Sequence, residues 1–155
     1  PLFLSLKDSG VLPITDPRMT RFMITLEEGV ELVWRALSDM AGGEIYVKKI
    51  PSMRITDIAA AVAPGARQEI VGMRPGEKIH EQMIGSEDAL YTYDYGDYFK
   101  ILPVINNWAY CDSRIKNGRK VPEDFRYTSE SNKAWMNRET LAAWVQANQA
   151  RIGAI

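Results

Sequence analysis

The sequence predicts a small mixed α/β domain. Short apolar segments with strand character alternate with amphipathic helical stretches, each only one or two turns of chain apart. Turn signals separate many of these segments, at Gly10, Asp16-Pro17, Gly42-Gly43, Pro64-Gly65 and Gly72 to Gly76. The length of 155 residues favours one domain, and 46% hydrophobic with 25% charged residues is ordinary globular composition.

Residues 2–9 carry Leu2, Phe3, Leu4 and Leu6 at helical spacing, and Gly10 is placed to end that helix. Val11 to Ile14 is expected to be extended, with Asp16-Pro17 turning the chain because a residue before proline leaves the helical region. Phe22 to Ile24 reads as a short strand. Thr25 followed by Glu28 has the capping-box spacing, so a helix begins there. Leu26, Val30, Val33, Leu37 and Met40 then predict one buried face, and Gly42-Gly43 a stop.

Glu44 to Lys48 alternates as a strand, a helix starts near Arg54 with Ile55, Ile58, Ala59 and Val62 on one side, and Glu69 to Val71 reads as a further strand. Ile79, Met83 and Ile84 recur at helical spacing. From residue 86 to 133 the chain is rich in Tyr, Asp and Asn and reads as a long insertion, with a strand at Lys100 to Ile105; so long a loop is expected to be functional or packed on a partner. A last helix is capped by Asn137 and shows Leu141, Trp144, Val145 and Asn148 on one face.

Charge excludes one class of partner. With 19 lysines and arginines against 20 aspartates and glutamates, spread along the chain, no basic face for nucleic acid is expected. The single cysteine, Cys111, rules out an internal disulfide, and with the single His80 it leaves too few ligands for a structural zinc; no carboxylate cluster demands a metal. No apolar run approaches the roughly 20 residues of a membrane span, and a cytoplasmic location is the expectation. The chain opens on Pro1-Leu-Phe-Leu, already inside an apolar pattern, as though cut from a longer one.

Two segments carry arginines on turns among apolar residues: Leu12-Pro-Ile-Thr-Asp-Pro-Arg-Met-Thr-Arg-Phe22 and Val71-Gly-Met-Arg-Pro-Gly-Glu-Lys-Ile-His-Glu81. A guanidinium is a permanent cation whose planar donor fork matches phosphate oxygens, so Arg21 beside an apolar strand and Arg74 between glycines would suit a diphosphate. Pairing with a nearby carboxylate is the ordinary alternative for any surface arginine. His80 and Cys111 have no neighbours that would activate them, and the tyrosines read as packing. Neither Gly-x-Ser-x-Gly, Gly-x-Gly-x-x-Gly nor Tyr-x-x-x-Lys occurs.

Pro13-Ile-Thr-Asp-Pro-Arg-Met-Thr-Arg-Phe-Met-Ile-Thr-Leu-Glu-Glu, Gly43-Glu-Ile-Tyr-Val with the following Lys-Ile-Pro-Ser-Met-Arg-Ile-Thr-Asp-Ile, and the Val71 to Glu81 block stand in an order that resembles the C-terminal half of the inverting UDP-N-acetylglucosamine 4,6-dehydratases. These are extended short-chain dehydrogenase/reductases of polysaccharide and flagellin-sugar biosynthesis. Phe125 to Asn132 is similar to a further segment of them. The resemblance implies a small mixed α/β substrate-binding domain over residues 1–155, lacking the N-terminal Rossmann domain that holds NADP and the catalytic Tyr-x-x-x-Lys pair. It implies that Arg21 and Arg74 contact the pyrophosphate of a UDP-sugar, that Glu77 belongs to the same substrate-binding set, and that Leu12, Pro13, Ile14 and Thr15 lie near the uracil. In that family the sugar is oxidised at C4, loses water across C5 and C6, takes hydride back at C6 and is inverted at C5. No catalytic residue, metal or cofactor is then expected on this chain alone. Its partners would be the UDP-sugar, the Rossmann half and, in the parent enzyme, further copies. A stand-alone binding module and a subunit-assembly module are the competing readings.

Overall fold

The computed structural model describes residues 2–104 and 112–148. The chain forms two compact units, the first built from Pro1–Met23, Pro51–Glu81 and Asn132–Ile155, the second from Ile24–Ile50 and Gln82–Ser131. Helices and strands are mixed in both, as the alternating pattern predicts.

Unit 1 begins with helix α1 (Leu2–Ser5) and a 3-10 turn that Gly10 ends at φ 74°, a left-handed backbone that glycine adopts without steric cost. Strand β1 (Val11–Ile14) pairs in parallel with β5 (Arg67–Ile70), and β2 (Thr20–Phe22) pairs antiparallel with β4 (Ser52–Arg54). Helix α3 (Ile55–Val62) follows β4 directly, and α5 (Arg138–Asn148) packs on it. Alternation along β1 points Leu12 and Ile14 inward, where they join Ala59 and Ala63, with Phe3 and Leu6 of the opening segment against them. A second cluster joins Met53 of β4, Ile58 and Val62 of α3, and Leu141 and Val145 of α5. Asn137 caps α5 as expected, its side-chain carbonyl accepting the Thr140 amide at 2.8 Å.

Unit 2 holds helix α2 (Leu26–Asp39) and a four-stranded antiparallel sheet in the order β3 (Ile45–Lys48), β8 (Tyr98–Ile101), β7 (Thr92–Asp94), β9 (Arg119–Lys120). The capping box at Thr25 forms as read: the Thr25 hydroxyl accepts the Glu28 amide at 3.2 Å, and the Glu28 carboxylate accepts the Thr25 amide at 2.9 Å. A short helix α4 (Asp112–Ile115) and the pair β6 (Gln82–Ile84) with β10 (Tyr127–Thr128) complete the unit.

The core of unit 2 is aromatic. Phe99 lies 5.0 Å from Phe125 and 5.2 Å from Tyr127, tilted to both, and Tyr95 stacks on Tyr98 at 5.0 Å. Burial pushes the Tyr95 hydroxyl up to about 12, and it raises Tyr98 and Tyr127 as well. A phenol that ionises later in the folded than in the unfolded chain contributes stability that is complete below the unfolded value of about 10 and is lost as pH rises through the folded one. We therefore expect the melting temperature to fall between pH 10 and 12 with loss of near-ultraviolet aromatic ellipticity. Tyrosines that titrate near pH 10 while the fold stays intact would contradict this.

Several expectations change: the helix expected over residues 2–9 is α1 over Leu2–Ser5 followed by a 3-10 turn, and the strand expected at Lys100 to Ile105 lies at Tyr98–Ile101. The apolar face of α2 is uncovered: no residue of the helix is buried, and Leu26 and Trp34 are 81% and 67% exposed. Its periodicity is helical, but within its unit the described residues bury none of that face. Ile79, Met83 and Ile84 form no helix; Ile84 pairs with Tyr127 across β6 and β10, and three apolar residues over six positions fit either period. The strand expected at Phe22 to Ile24 lies at Thr20–Phe22, leaving Ile24 exposed. The long loop from residue 86 contains β7, β8, α4, β9 and β10, with Tyr95, Tyr98 and Tyr127 used in packing. Residue Ile105 of the expected strand, Tyr110 and Cys111 lie outside the described residues.

Candidate functional site

Unit 1 carries an open cavity of about 470 Å³. Its walls are apolar: Leu2, Phe3 and Leu4 of α1, Met19, Phe22 and Met23 around β2, Ile55, Ile58 and Val62 of α3, and Trp144 and Val145 of α5. Pro13 of β1 adds to them, and polar side chains are confined to Thr15 just after β1, Arg21 on β2, and Arg74 and Glu77. Five of the seven residues singled out in the sequence thus line one cavity. Leu12 and Ile14 do not; they are 0% and 1% exposed and back β1 from the core side.

Residues Arg74–Glu77 form a tight turn. Pro75 presets φ at the second position, Gly76 takes φ 86° at the third, and the Glu77 amide closes the turn on the Arg74 carbonyl at 3.1 Å. That is the type II pattern, which needs a positive φ where glycine stands. The Glu77 carboxylate accepts the Arg74 amide at 2.9 Å, so the turn is fixed at both ends. Among the described residues the Arg74 guanidinium has no hydrogen bond or ion pair, and the residue is exposed. Its donor fork is available to an anion.

Arg21 is held differently. Its Nη1 donates to the Thr20 carbonyl at 2.7 Å and the Ile79 carbonyl at 3.1 Å, and its Nη2 to the Lys78 carbonyl at 3.2 Å. The strap Lys78–Glu81 is tied to β2 by further bonds. The Thr20 amide donates to the Ile79 carbonyl at 3.0 Å, the Phe22 amide to the Glu81 carboxylate at 2.8 Å, and the Thr20 hydroxyl meets His80 Nδ1 at 2.8 Å. His80 is therefore a hydrogen-bonded structural group, in line with its reading from sequence. Arg18, the other arginine of the first segment, makes the ordinary salt bridge: two nitrogens reach Asp16 at 2.7 and 3.0 Å. Those bonds hold the Asp16 carboxyl down at about 2.

Sequence reasoning did not find the apolar floor supplied by α1, α3 and α5. The periodicity of Ile55, Ile58 and Val62 marks a core face, and nothing in it shows that part of that face borders an open cavity.

A second polar cluster lies in unit 2. Lys100, only 1% exposed, reaches Asp39 at 2.5 Å, with Lys116 on the other carboxylate oxygen at 2.5 Å and the Tyr46 hydroxyl donating at 2.7 Å. The Lys100 ammonium also lies over the Tyr95 and Tyr46 rings at 4.7 and 5.3 Å. Burial opposes ionisation of Asp39, but the three hydrogen bonds outweigh it and hold the carboxyl well below the usual carboxylate range. The groups of this cluster satisfy one another.

Comparison with known proteins settles the lineage. The sequence pattern of the family described as "polysaccharide biosynthesis protein" matches residues 1–103. The chain belongs to that family. A UDP-N-acetylglucosamine 4,6-dehydratase (inverting) of Campylobacter jejuni is 44% identical over 148 residues, covering 91% of this chain and 44% of that protein. The resemblance read from the three sequence blocks is thus to the right enzyme family. A UDP-glucose 4-epimerase of Rickettsia canadensis is 34% identical over 138 residues, 86% of this chain and 40% of the epimerase. The fold is also that of a solved structure, Pen from Bacillus thuringiensis, at a TM-score of 0.80 with 24% identity, covering 96% of this chain and 45% of that one. The chain spans less than half the length of the curated relatives it matches.

Among the described residues no helix is long and apolar enough to cross a membrane, and no group of three or more His, Cys, Asp or Glu side chains converges as a metal site would require.

Proposed function

We propose that this member of the polysaccharide biosynthesis family is the UDP-N-acetylhexosamine-binding portion of an inverting nucleotide-sugar 4,6-dehydratase, with unit 1 as the binding element. The observation that carries the reading is the convergence of Pro13, Thr15, Arg21, Arg74 and Glu77 on one largely apolar cavity, with the Arg74 guanidinium free of partners among the described residues. An apolar chamber with two cations in its lining suits a ligand with a flat, weakly polar base and a diphosphate. In this reading Arg74 and Arg21 take the diphosphate, Pro13 and Thr15 border the base, and Leu12 and Ile14 support that wall from behind.

NADP is the cofactor such dehydratases call for. No segment of this chain has the glycine-rich cofactor turn, and none has the Tyr-x-x-x-Lys pair, so no residue here fits a role in holding it or in the oxidation and water loss. The chain alone would bind and would not catalyse. The Rossmann half is the partner the reading requires, and the uncovered face of α2 with Leu26, Val33, Trp34 and Leu37 is the surface offered to it. A homo-oligomer and a cytoplasmic location belong to the same proposal.

Calorimetric titration of UDP into the chain tests it. Each charge-assisted hydrogen bond to phosphate contributes about 1.5–3 kcal/mol, so Arg74→Ala should weaken UDP roughly 10- to 100-fold, with a smaller loss for Arg21→Ala. An affinity that neither substitution alters would refute the assignment.

A further inference from the structure

The donors of Arg21 are not equivalent. The three short bonds, to the carbonyls of Thr20, Ile79 and Lys78, all fall on Nη1 and Nη2. The Nε–H faces the Glu81 carboxylate at 3.7 Å, too long for a hydrogen bond and close enough for attraction. Glu81 uses its other oxygen to accept the Phe22 amide at 2.8 Å, which anchors its carboxyl group beside Nε. Both side chains are partly open to solvent, 26% for Arg21 and 44% for Glu81, so an anion can reach the gap between them.

We infer that Glu81 is a positioning residue that serves as the internal counter-anion of Arg21, which a diphosphate displaces from Nε on binding. This rests on the reading of unit 1 as a diphosphate site. The Nη groups keep their backbone carbonyls, so these bonds hold the strap in place while the weak ionic contact to Nε is exchanged. Phosphate oxygens bind Nε–H at hydrogen-bond distance, where the carboxylate does not. The carboxylate then stands near the bound diphosphate as a like charge and opposes it, which sets the affinity below what Arg21 and Arg74 would otherwise give.

Glu81→Gln separates this role from a structural one, because the amide oxygen still accepts the Phe22 amide while the negative charge is gone. With inorganic pyrophosphate as probe, the substituted chain should bind roughly 3- to 10-fold tighter than the parent at low salt. The gain should shrink as ionic strength rises through the range in which the Debye length falls to about 8 Å. A purely structural Glu81 would give unchanged or weaker binding, and either result overturns the inference. In the unsubstituted chain the ¹⁵N–¹H resonance of Arg21 Nε should move on saturation with pyrophosphate; a resonance that stays put also overturns it, whatever the folding of the variant. Comparing UDP with pyrophosphate keeps the two ideas apart. Equal affinity for both removes the nucleotide reading and leaves the role of Glu81 standing.

Discussion

Replacing Asp39 by alanine should destabilise unit 2 by about 3–5 kcal/mol, the cost of stranding a buried charge. The stranded group is the Lys100 ammonium, whose side chain is 2% exposed and whose carboxylate partner lies at 2.5 Å. Lys116, bound to the other oxygen, is 52% exposed and returns to water at little cost. Tyr46 also loses its acceptor. The double variant Asp39→Ala with Lys100→Met removes the charge together with its partner and should recover most of the loss, since a buried ion pair is commonly no more stable than apolar groups of like volume. Urea unfolding of the two variants, read through the tyrosines of β7 and β8, measures both. A single variant that loses less than about 1 kcal/mol would show that water reaches Lys100. The same pair predicts acid behaviour. A carboxyl held low in the folded state adds stability above the unfolded value near 4, and that share is lost as pH falls below it toward the folded one.

Local rules were legible wherever one signal had one meaning. The box at Thr25 and Glu28, the left-handed stop at Gly10, the cap at Asn137 and the turn at Pro75-Gly76 each rest on backbone groups within four residues, and each forms where the sequence puts it, although the α-helix before Gly10 ends at Ser5 and a 3-10 turn fills the gap. Pairing was less legible. Nothing near Gln82 to Ile84 shows that Tyr127 and Thr128, more than forty residues on, satisfy that backbone as a strand. Lys100 reads as the polar residue of an alternating strand, yet it is buried because Asp39, sixty-one residues earlier, neutralises it. Arg21 and Arg74 look alike in sequence and differ in the fold, since only the tertiary position of the Lys78 and Ile79 carbonyls decides which guanidinium is occupied. The periodicity of α2 correctly gave an apolar face and could not say whether described residues of its unit cover it.

Leu141→Ala should cost unit 1 about 2–5 kcal/mol, the range for deleting a fully buried leucine side chain. Leu141 is 0% exposed and stands in one cluster with Met53, Ile58, Val62, Trp144 and Val145. The last four of these also line the cavity, so the substitution softens the apolar wall while leaving the arginines untouched. Arg74→Ala should do the reverse. It removes an exposed side chain with no partner among the described residues, so the ligand-free melting temperature should stay within the small range of ordinary surface changes, about 0.5 kcal/mol. The two variants therefore separate on addition of UDP. A ligand that binds only the folded state at 100 times its dissociation constant adds about 2.7 kcal/mol; the Leu141→Ala chain should melt early and regain stability with UDP, whereas the Arg74→Ala chain should melt normally and gain little. If instead Leu141→Ala abolishes the UDP-dependent shift at concentrations that saturate the parent chain and Arg74→Ala preserves it, the recognition lies in the apolar chamber. The guanidinium in its lining would then be a bystander.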